Sequence, residues 1–296
     1  MKKWLVRKPQ KEFAEKILRE SEVTPLCADI LAARGFTSAE DAAKQLNSDG
    51  LSDPFLLKDM REAADVINDA VENFESICIY GDYDCDGITS TVILFSYLEC
   101  MGANVTYYIP ERSEGYGLNA DAVRELAKRG VNLIITVDNG ISAIEESKLI
   151  YELGMHLVVT DHHQPGDELP QAEAVVDPHR KDCPSTFKYL CGAGIALKLV
   201  AALENGDYET ALNEYGEFAA MGTVADVVSL TGENRYIVSN GLRLLENSER
   251  PGVNALIKKS GLKFPLTSAS LAFGLAPRIN ASGRFRSEEH TSELQS

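Results

Sequence analysis

Between residues 77 and 178 the chain alternates short apolar, β-rich runs with longer amphipathic stretches. The runs Ile77–Tyr80, Val105–Ile109, Leu133–Val137, Leu157–Thr160 and Ala174–Val176 read as strands. They are too short for helices and are bounded by turn-forming residues. The stretches between them are punctuated as helices. Ile88 to Cys100 ends before Gly102, Ala120 to Lys128 follows Asn119 and ends at Gly130, and Ala143 to Glu152 ends before Gly154. Ser142 and Glu145 stand at capping-box spacing ahead of the last of these. Strand–helix alternation of this kind predicts an α/β fold with a doubly wound parallel sheet.

On either side the pattern turns helical. From residue 1 to about 75, Ile30 and Leu31 run into a helix stop at Arg34-Gly35-Phe36-Thr37, and a new helix starts at Ser38. Met60 to Phe74 places Ala63, Ala64, Ile67 and Val71 at helical spacing. Residues 190 to about 260 are again mainly helical. The expected organisation is a helical segment over 1–75, an α/β domain over 76–260, the start of a linker over 261–285, and a separate tail over 286–296.

Four acidic motifs sit just past strand-like runs. Asp82, Asp84 and Asp86 (DYDCDG) follow the first, Asp138 (DNG) the third, Asp161-His162-His163 the fourth, and Asp177 the fifth. Open parallel sheets bind ligands beyond the carboxyl ends of their strands. Carboxylates gathered there repel one another, and a divalent cation neutralises them. DYDCDG alone also matches the opening of a calcium-binding helical-hand loop. That reading requires a glutamate where Ile93 stands, and the strand ahead of it is wrong. Gly87 lets the backbone turn into the next helix, whose free N–H groups favour a phosphate. Asp138 read alone is a turn residue. Asp161 either ligates a cation or orients an imidazole. His156 is expected to be structural, and His179 is ambiguous.

Composition narrows the classes. The chain has 296 residues, 44% hydrophobic and 25% charged, an ordinary globular balance. No apolar run reaches the roughly 18 residues of a membrane span, so no membrane partner is expected. The six cysteines form no CxxC pair and are expected to be reduced, as in a cytoplasmic protein. A formal net charge of −16 argues against a nonspecific nucleic-acid binder, although bound cations would offset part of it. The basic cluster Lys2, Lys3, Arg7, Lys8 and Lys11 reads as a solvated end.

Taken together, the motifs resemble the DHH phosphoesterase family, within it the RecJ branch of single-strand-specific 5′→3′ DNA exonucleases. The resemblance runs from KKWLVRKP through LAARGFTSAEDA, YGDYDCDGITST, ERSEGYGLN, TVDNGIS, VVTDHH, VVDPHR, CGAGIALKL and GTVADVVSL to APRINASGR. It implies two manganese or magnesium ions held by Asp82, Asp84, Asp86, Asp138, His162 and Asp226. Other branches carry a histidine where Tyr80 stands here, and Asp82 is the RecJ-like substitute. His163 would meet the scissile phosphate, with Asp161 beside it. Arg112, Tyr116 and Asn119 would lie near the substrate strand, Tyr116 as a stacking platform. Arg278, Asn280 and Arg284 look like the segment leading toward a second core domain, counted with the substrate-binding residues.

The resemblance also implies single-stranded DNA as substrate, a role in repair and recombination, and a helicase and a single-strand-binding protein as partners. The family's second core domain and nucleic-acid-binding fold are expected to lie beyond this chain, leaving apolar surface around Leu271 to Leu275 and weak processive digestion. The tail RSEEHTSELQS resembles translated sequencing adapter and is expected to be non-native. Two rivals stand beside the exonuclease. One is a phosphoesterase for short oligonucleotides, cyclic dinucleotides or polyphosphate, separable by rates on long strands and dinucleotides. The other is an inactive scaffold, which would have lost ligand carboxylates.

Overall fold

The computed structural model describes residues 7–46 and 50–282. Its centre is a five-stranded parallel sheet of β1 (Ile77–Tyr80), β2 (Val105–Tyr108), β3 (Leu133–Val137), β4 (His156–Thr160) and β5 (Ala174–Val176). The strand order is β2-β1-β3-β4-β5. Ile77 pairs with Leu133, Tyr80 with Thr136, and Val137 with Thr160, so the central strands end in line. The order reverses between β1 and β3, which opens a crevice beyond their carboxyl ends.

Strand alternation divides the core between the two faces of the sheet. Ile77, Ile79, Leu133, Ile135, Val137, Val158 and Val176 pack with α4 (Met60–Glu72), α5 (Cys85–Cys100) and α8 (Gly192–Leu203). Cys78, Tyr80, Ile134, Leu157, Val159 and Val175 pack with α6 (Ala120–Lys128) and α7 (Ile144–Glu152). Helix α8 lies between the sheet layer and α9 (Tyr208–Ala225), and every one of its residues is buried. That includes Lys198, whose Nζ reaches Ser52 O at 2.8 Å and Glu233 Oε2 at 2.6 Å. A buried ammonium needs such partners, and here they tie the segment before α4 to α8 and α10 (Gly232–Glu246).

The N-terminal segment forms α1 (Lys11–Glu20), α2 (Pro25–Ala33) and α3 (Ala39–Leu46), joined around Ile17, Ala28, Leu31 and Ala42. All six cysteines are free.

Several local expectations change. Helix α5 begins at Cys85 rather than Ile88, because the Asp84 side chain accepts from Asp86 N and Gly87 N. The Ser142–Glu145 capping box does not form: α7 is preceded by Ala143, with no side-chain cap. The expected linker is helical. Ser268–Ser270, a π-helical turn Leu271–Leu275, and α13 (Ala276–Ser282) pack beside α9, α10 and α11 (Pro251–Ser260). Leu271, Gly274 and Leu275 are buried, so apolar exposure there is confined to Phe273, at 83%. Lys2, Lys3, Arg284 and the tail 286–296 lie outside the described residues.

Candidate metal centre

The crevice receives side chains from every layer. Asp82 and Asp84 stand on the loop after β1, and Asp86 on the first turn of α5. Asp138 follows β3 with φ of 63°, a left-handed conformation that aspartate tolerates better than most residues. His162 follows β4, and Asp226 is the C-cap of α9. One oxygen each from Asp82, Asp84 and Asp138 lies within 4.8 Å of the others. So do ligand atoms of Asp86, His162 and Asp226. His162 stands between the two groups: its Nε2 is 2.9 Å from Asp138 Oδ1 and 3.8 Å from Asp86 Oδ2, and its Nδ1 is 3.7 Å from Asp226 Oδ2. The site thus brings together all six residues that the resemblance implied as ligands.

Electrostatics mark the same residues. Burial pushes Asp82 and Asp86 up to about 6. Burial, with Asp86 and Asp84 nearby, pushes Asp226 up to about 7. Asp138 is raised by burial and then by Asp86, Asp84 and Asp161. Burial holds His162 down at about 4, so its imidazole is neutral near pH 7 and has a lone pair to offer. Asp82 Oδ1 is buried without a hydrogen-bond partner. An oxygen-rich set of this kind, with one imidazole, fits divalent cations of the magnesium and manganese type.

Asp161 is tied into the loop by hydrogen bonds. Asp161 Oδ1 accepts from His162 N, His163 N and His163 Nδ1, and its Oδ2 accepts from Ile141 N. Burial would raise its carboxyl, but the His163 hydrogen bond holds it below the usual range. Asp161 thereby orients His163 and the loop, and one of its oxygens also lies within 4.8 Å of ligand atoms of Asp138, His162 and His163, a third group able to hold a cation. The acceptor-only carboxylate fixes a proton on His163 Nδ1 and raises that imidazole. The Tyr116 hydroxyl donates to Asp138 O at 3.0 Å and stands 3.1 Å from His163 Nδ1. It braces the histidine, while half of the residue stays exposed.

Arg112 lies over the Tyr83 ring, 4.5 Å from its centre, beside the acidic loop. Asn119 is engaged within the protein: its Oδ1 caps α6 through Ala122 N, and its Nδ2 donates to Tyr80 OH. Arg278 donates to Gly274 O, and Asn280 Oδ1 accepts from Cys85 N at 2.7 Å. Asp177 is buried with Oδ1 on His179 N, outside all three metal-capable groups. His179 meets Gln164, and His156 pairs with Glu173 at the far end of β4.

The free N–H groups expected at the start of α5 are not free. Asp86 N and Gly87 N donate to Asp84, and Cys85 N to Asn280. The open helix end belongs instead to α8, whose Gly192 N and Ala193 N bind the two oxygens of Asp86 at 2.7 and 2.9 Å. No local pattern announced this role for the CGAG segment. Two glycines there allow close approach: a Cβ on Gly192 would stand 2.5 Å from Asp138 Cβ, and one on Gly222 2.5 Å from Asp86 Oδ1. Val227, next to Asp226, holds φ at 61° with its side chain exposed, a strained state for a β-branched residue. Strain of this kind gathers at functional sites.

The sequence signature described as "DHH family, N-terminal domain" matches residues 76–223, the span that carries the sheet and all the candidate ligands except Asp226. The chain belongs to the DHH family. Among curated relatives, the single-stranded-DNA-specific exonuclease RecJ of Bacillus subtilis (strain 168) is 43% identical over 286 residues, 95% of this chain and 36% of that protein. RecJ of Escherichia coli (strain K12) is 36% identical over 89% of this chain and 48% of its own length. The crystal structure of Thermus thermophilus RecJ in complex with Mn2+ superposes with a TM-score of 0.79 at 34% identity, covering 94% of this chain and 40% of that one. This DHH chain therefore spans between about a third and a half of the length of these relatives.

The raised carboxyls make a prediction for the metal-free protein. Between about pH 4 and 7, folded Asp82, Asp86, Asp138 and Asp226 keep protons that the unfolded chain has released. Stability therefore falls as pH rises through that window. His162, depressed to about 4, opposes this with a single imidazole that the unfolded chain protonates below about 6.5. The melting temperature without metal should drop between pH 5 and 7.5. Manganese should restore it, with the larger shift at pH 7.5, as read by calorimetry.

Proposed function

We propose that this chain carries the nuclease core of a divalent-metal-dependent, single-strand-specific 5′→3′ DNA exonuclease that releases 5′-mononucleotides. One observation supports the metal-dependent chemistry: six side chains able to hold a cation converge at the switch point of the sheet, with four carboxyls raised by burial and a neutral imidazole between them. The strand specificity and direction rest on likeness to the RecJ exonucleases. Manganese as the preferred ion rests on the Thermus thermophilus complex. We extend the same reading to a cytoplasmic place in DNA repair, with a helicase and a single-strand-binding protein as partners. Among the described residues no helix is long and apolar enough to cross a membrane.

Bound cations supply the positive charge that draws in a phosphodiester and lowers the pKa of an attacking water. The residues of the chain do the rest. The acidic loop and Asp138 hold the phosphate-facing side of the crevice. His163, with Nδ1–H held by Asp161 and its pKa raised by that bond, would meet a phosphate oxygen as an imidazolium, with the Tyr116 hydroxyl 3.3 Å from its Nε2. Tyr116 keeps that ring from swinging. Water adds to phosphorus, the P–O3′ bond breaks, and the terminal nucleotide leaves with its 3′-hydroxyl reprotonated from solvent.

The test is nucleotide release from a 5′-phosphorylated, 3′-labelled single strand, with duplex and dinucleotide compared. Manganese-dependent release, faster on the single strand than on either alternative, is the expected result. Equal rates on duplex would remove the strand specificity. Faster cleavage of the dinucleotide would move the chain to the small-substrate phosphoesterases. Hydrolysis that survives chelation would remove the metal reading.

A further inference from the structure

Helix α5 opens inside the acidic loop, so its first N–H groups lie among the cation ligands. The first N–H groups of any helix have no partner within it. Here two of them meet the N-cap side chain: Asp86 N and Gly87 N donate to Asp84 Oδ1 at 2.9 and 3.0 Å. A third, Cys85 N, lies between Asp84 and Asp86 in the chain. Its partner comes from the far end of the molecule: Asn280 Oδ1, on α13, at 2.7 Å.

What brings Asn280 there is the π-helical turn Leu271–Leu275. Such a turn holds one residue more than an α-turn, and one residue is about 100° of helix rotation. The turn therefore sets which face of α13 meets α5. Leu271 and Leu275 anchor its start in the cluster with α9, α10 and α11. An apolar cleft of about 250 Å³ lies among α5, α9 and α11, lined by Ile88, Val92, Phe218, Met221 and Leu256, and Ile279 of α13 closes onto the same seam. The Asn280–Cys85 hydrogen bond bridges that seam into the loop.

We propose that Asn280 is a positioning residue for the metal centre. By taking the Cys85 N–H, it fixes the loop that carries Asp82, Asp84 and Asp86, and it makes cation affinity depend on how the C-terminal helix is seated. The inference rests on the metal reading above. Polar groups that orient metal ligands typically change affinity by about 10–100-fold when removed.

The experiment compares wild type with Asn280→Leu, which keeps the size and loses the acceptor, and Asn280→Asp, which keeps an acceptor oxygen. Manganese affinity is titrated calorimetrically, and hydrogen exchange of the Cys85 amide is followed in the metal-free protein. Asn280→Leu should weaken manganese binding by about 10-fold or more and speed Cys85 exchange, while Asn280→Asp preserves both. Should Asn280→Leu fail to fold, Asn280→Ala carries the same expectation. Wild-type affinity and protection in the variant without an acceptor would overturn the proposal. So would a raised KM for DNA with unchanged manganese affinity, which would make Asn280 a substrate contact. If wild type itself bound no manganese, the metal reading would fail, while Cys85 exchange would still decide the role of Asn280.

Discussion

Asp138→Ala should leave a folded protein whose manganese-dependent hydrolysis is lost by about 10³-fold or more, beyond the 10–100-fold that outer partners of metal ligands cost. Asp138 belongs to the group with Asp82 and Asp84 and also lies against His162. Among the described residues, it is the carboxylate shared by two of the groups able to hold a cation. The same substitution removes the most crowded charge of the cluster, raised by burial and by four neighbouring aspartates. The metal-free variant should therefore melt no lower than wild type near pH 7.5, while the stabilisation given by manganese shrinks. A simple loss of packing would lower both. Calorimetry with and without manganese, alongside the nuclease assay, checks the pair of outcomes. Wild-type rates in the variant would remove Asp138 from the centre.

Gly192→Ala should cost about 10²-fold in hydrolysis although it removes no chemical group, since a displacement near 1 Å is enough for such a loss. The added methyl would stand 2.5 Å from Asp138 Cβ and 2.9 Å from its Oδ1. Ordinary carbon contacts begin near 3.4 Å, so Asp138 or the start of α8 must move. Either movement disturbs the site, because Gly192 N also holds Asp86 Oδ2 at 2.7 Å. Overpacking of this kind costs roughly 1–3 kcal/mol of stability, a few degrees of melting temperature for a chain of this size. The loss of activity should exceed what the fraction unfolded explains. Assay well below the melting point, with manganese affinity measured in parallel, tests it. Unchanged affinity and rate would mean that the helix start yields without touching the ligands.

The three central strands and β5 were legible as short runs of mainly β-branched and aliphatic residues, nearly all buried, and the partly exposed edge strand β2 by its β-branched and aromatic residues; their bounds differ from expectation by a residue at most: β2 ends at Tyr108 and β4 begins at His156. Helix starts were less legible. Ser142 and Glu145 have the right spacing for a cap, yet the chain turns at Ala143 and leaves the box open. At α5 the ligand Asp84 is itself the cap, so a motif read for chemistry also set the helix boundary. Asp82, Asp84 and Asp86 could be read locally, since one loop carries all three. Asp138 looked like a turn residue, and it is one as well as part of the cluster. Asp226 had no local signal: its place depends on α9 folding back across α5 and α8, and only the family resemblance pointed to it. The hold of Gly192 and Ala193 on Asp86, and of Asn280 on Cys85, lay beyond sequence for the same reason. They join backbone groups to side chains more than a hundred positions away.

Five of the candidate ligands are rooted in the sheet and its first turns, whereas Asp226 rides on the end of α9. Helix α9 packs against α10 and the C-terminal layer as much as against α8. A cation held by Asp86, His162 and Asp226 would therefore be a rivet through two plates of the molecule. Any breathing motion that lifts α9 from the sheet must first give up the ion, so loading the site should quiet the slow opening of that whole helical plate.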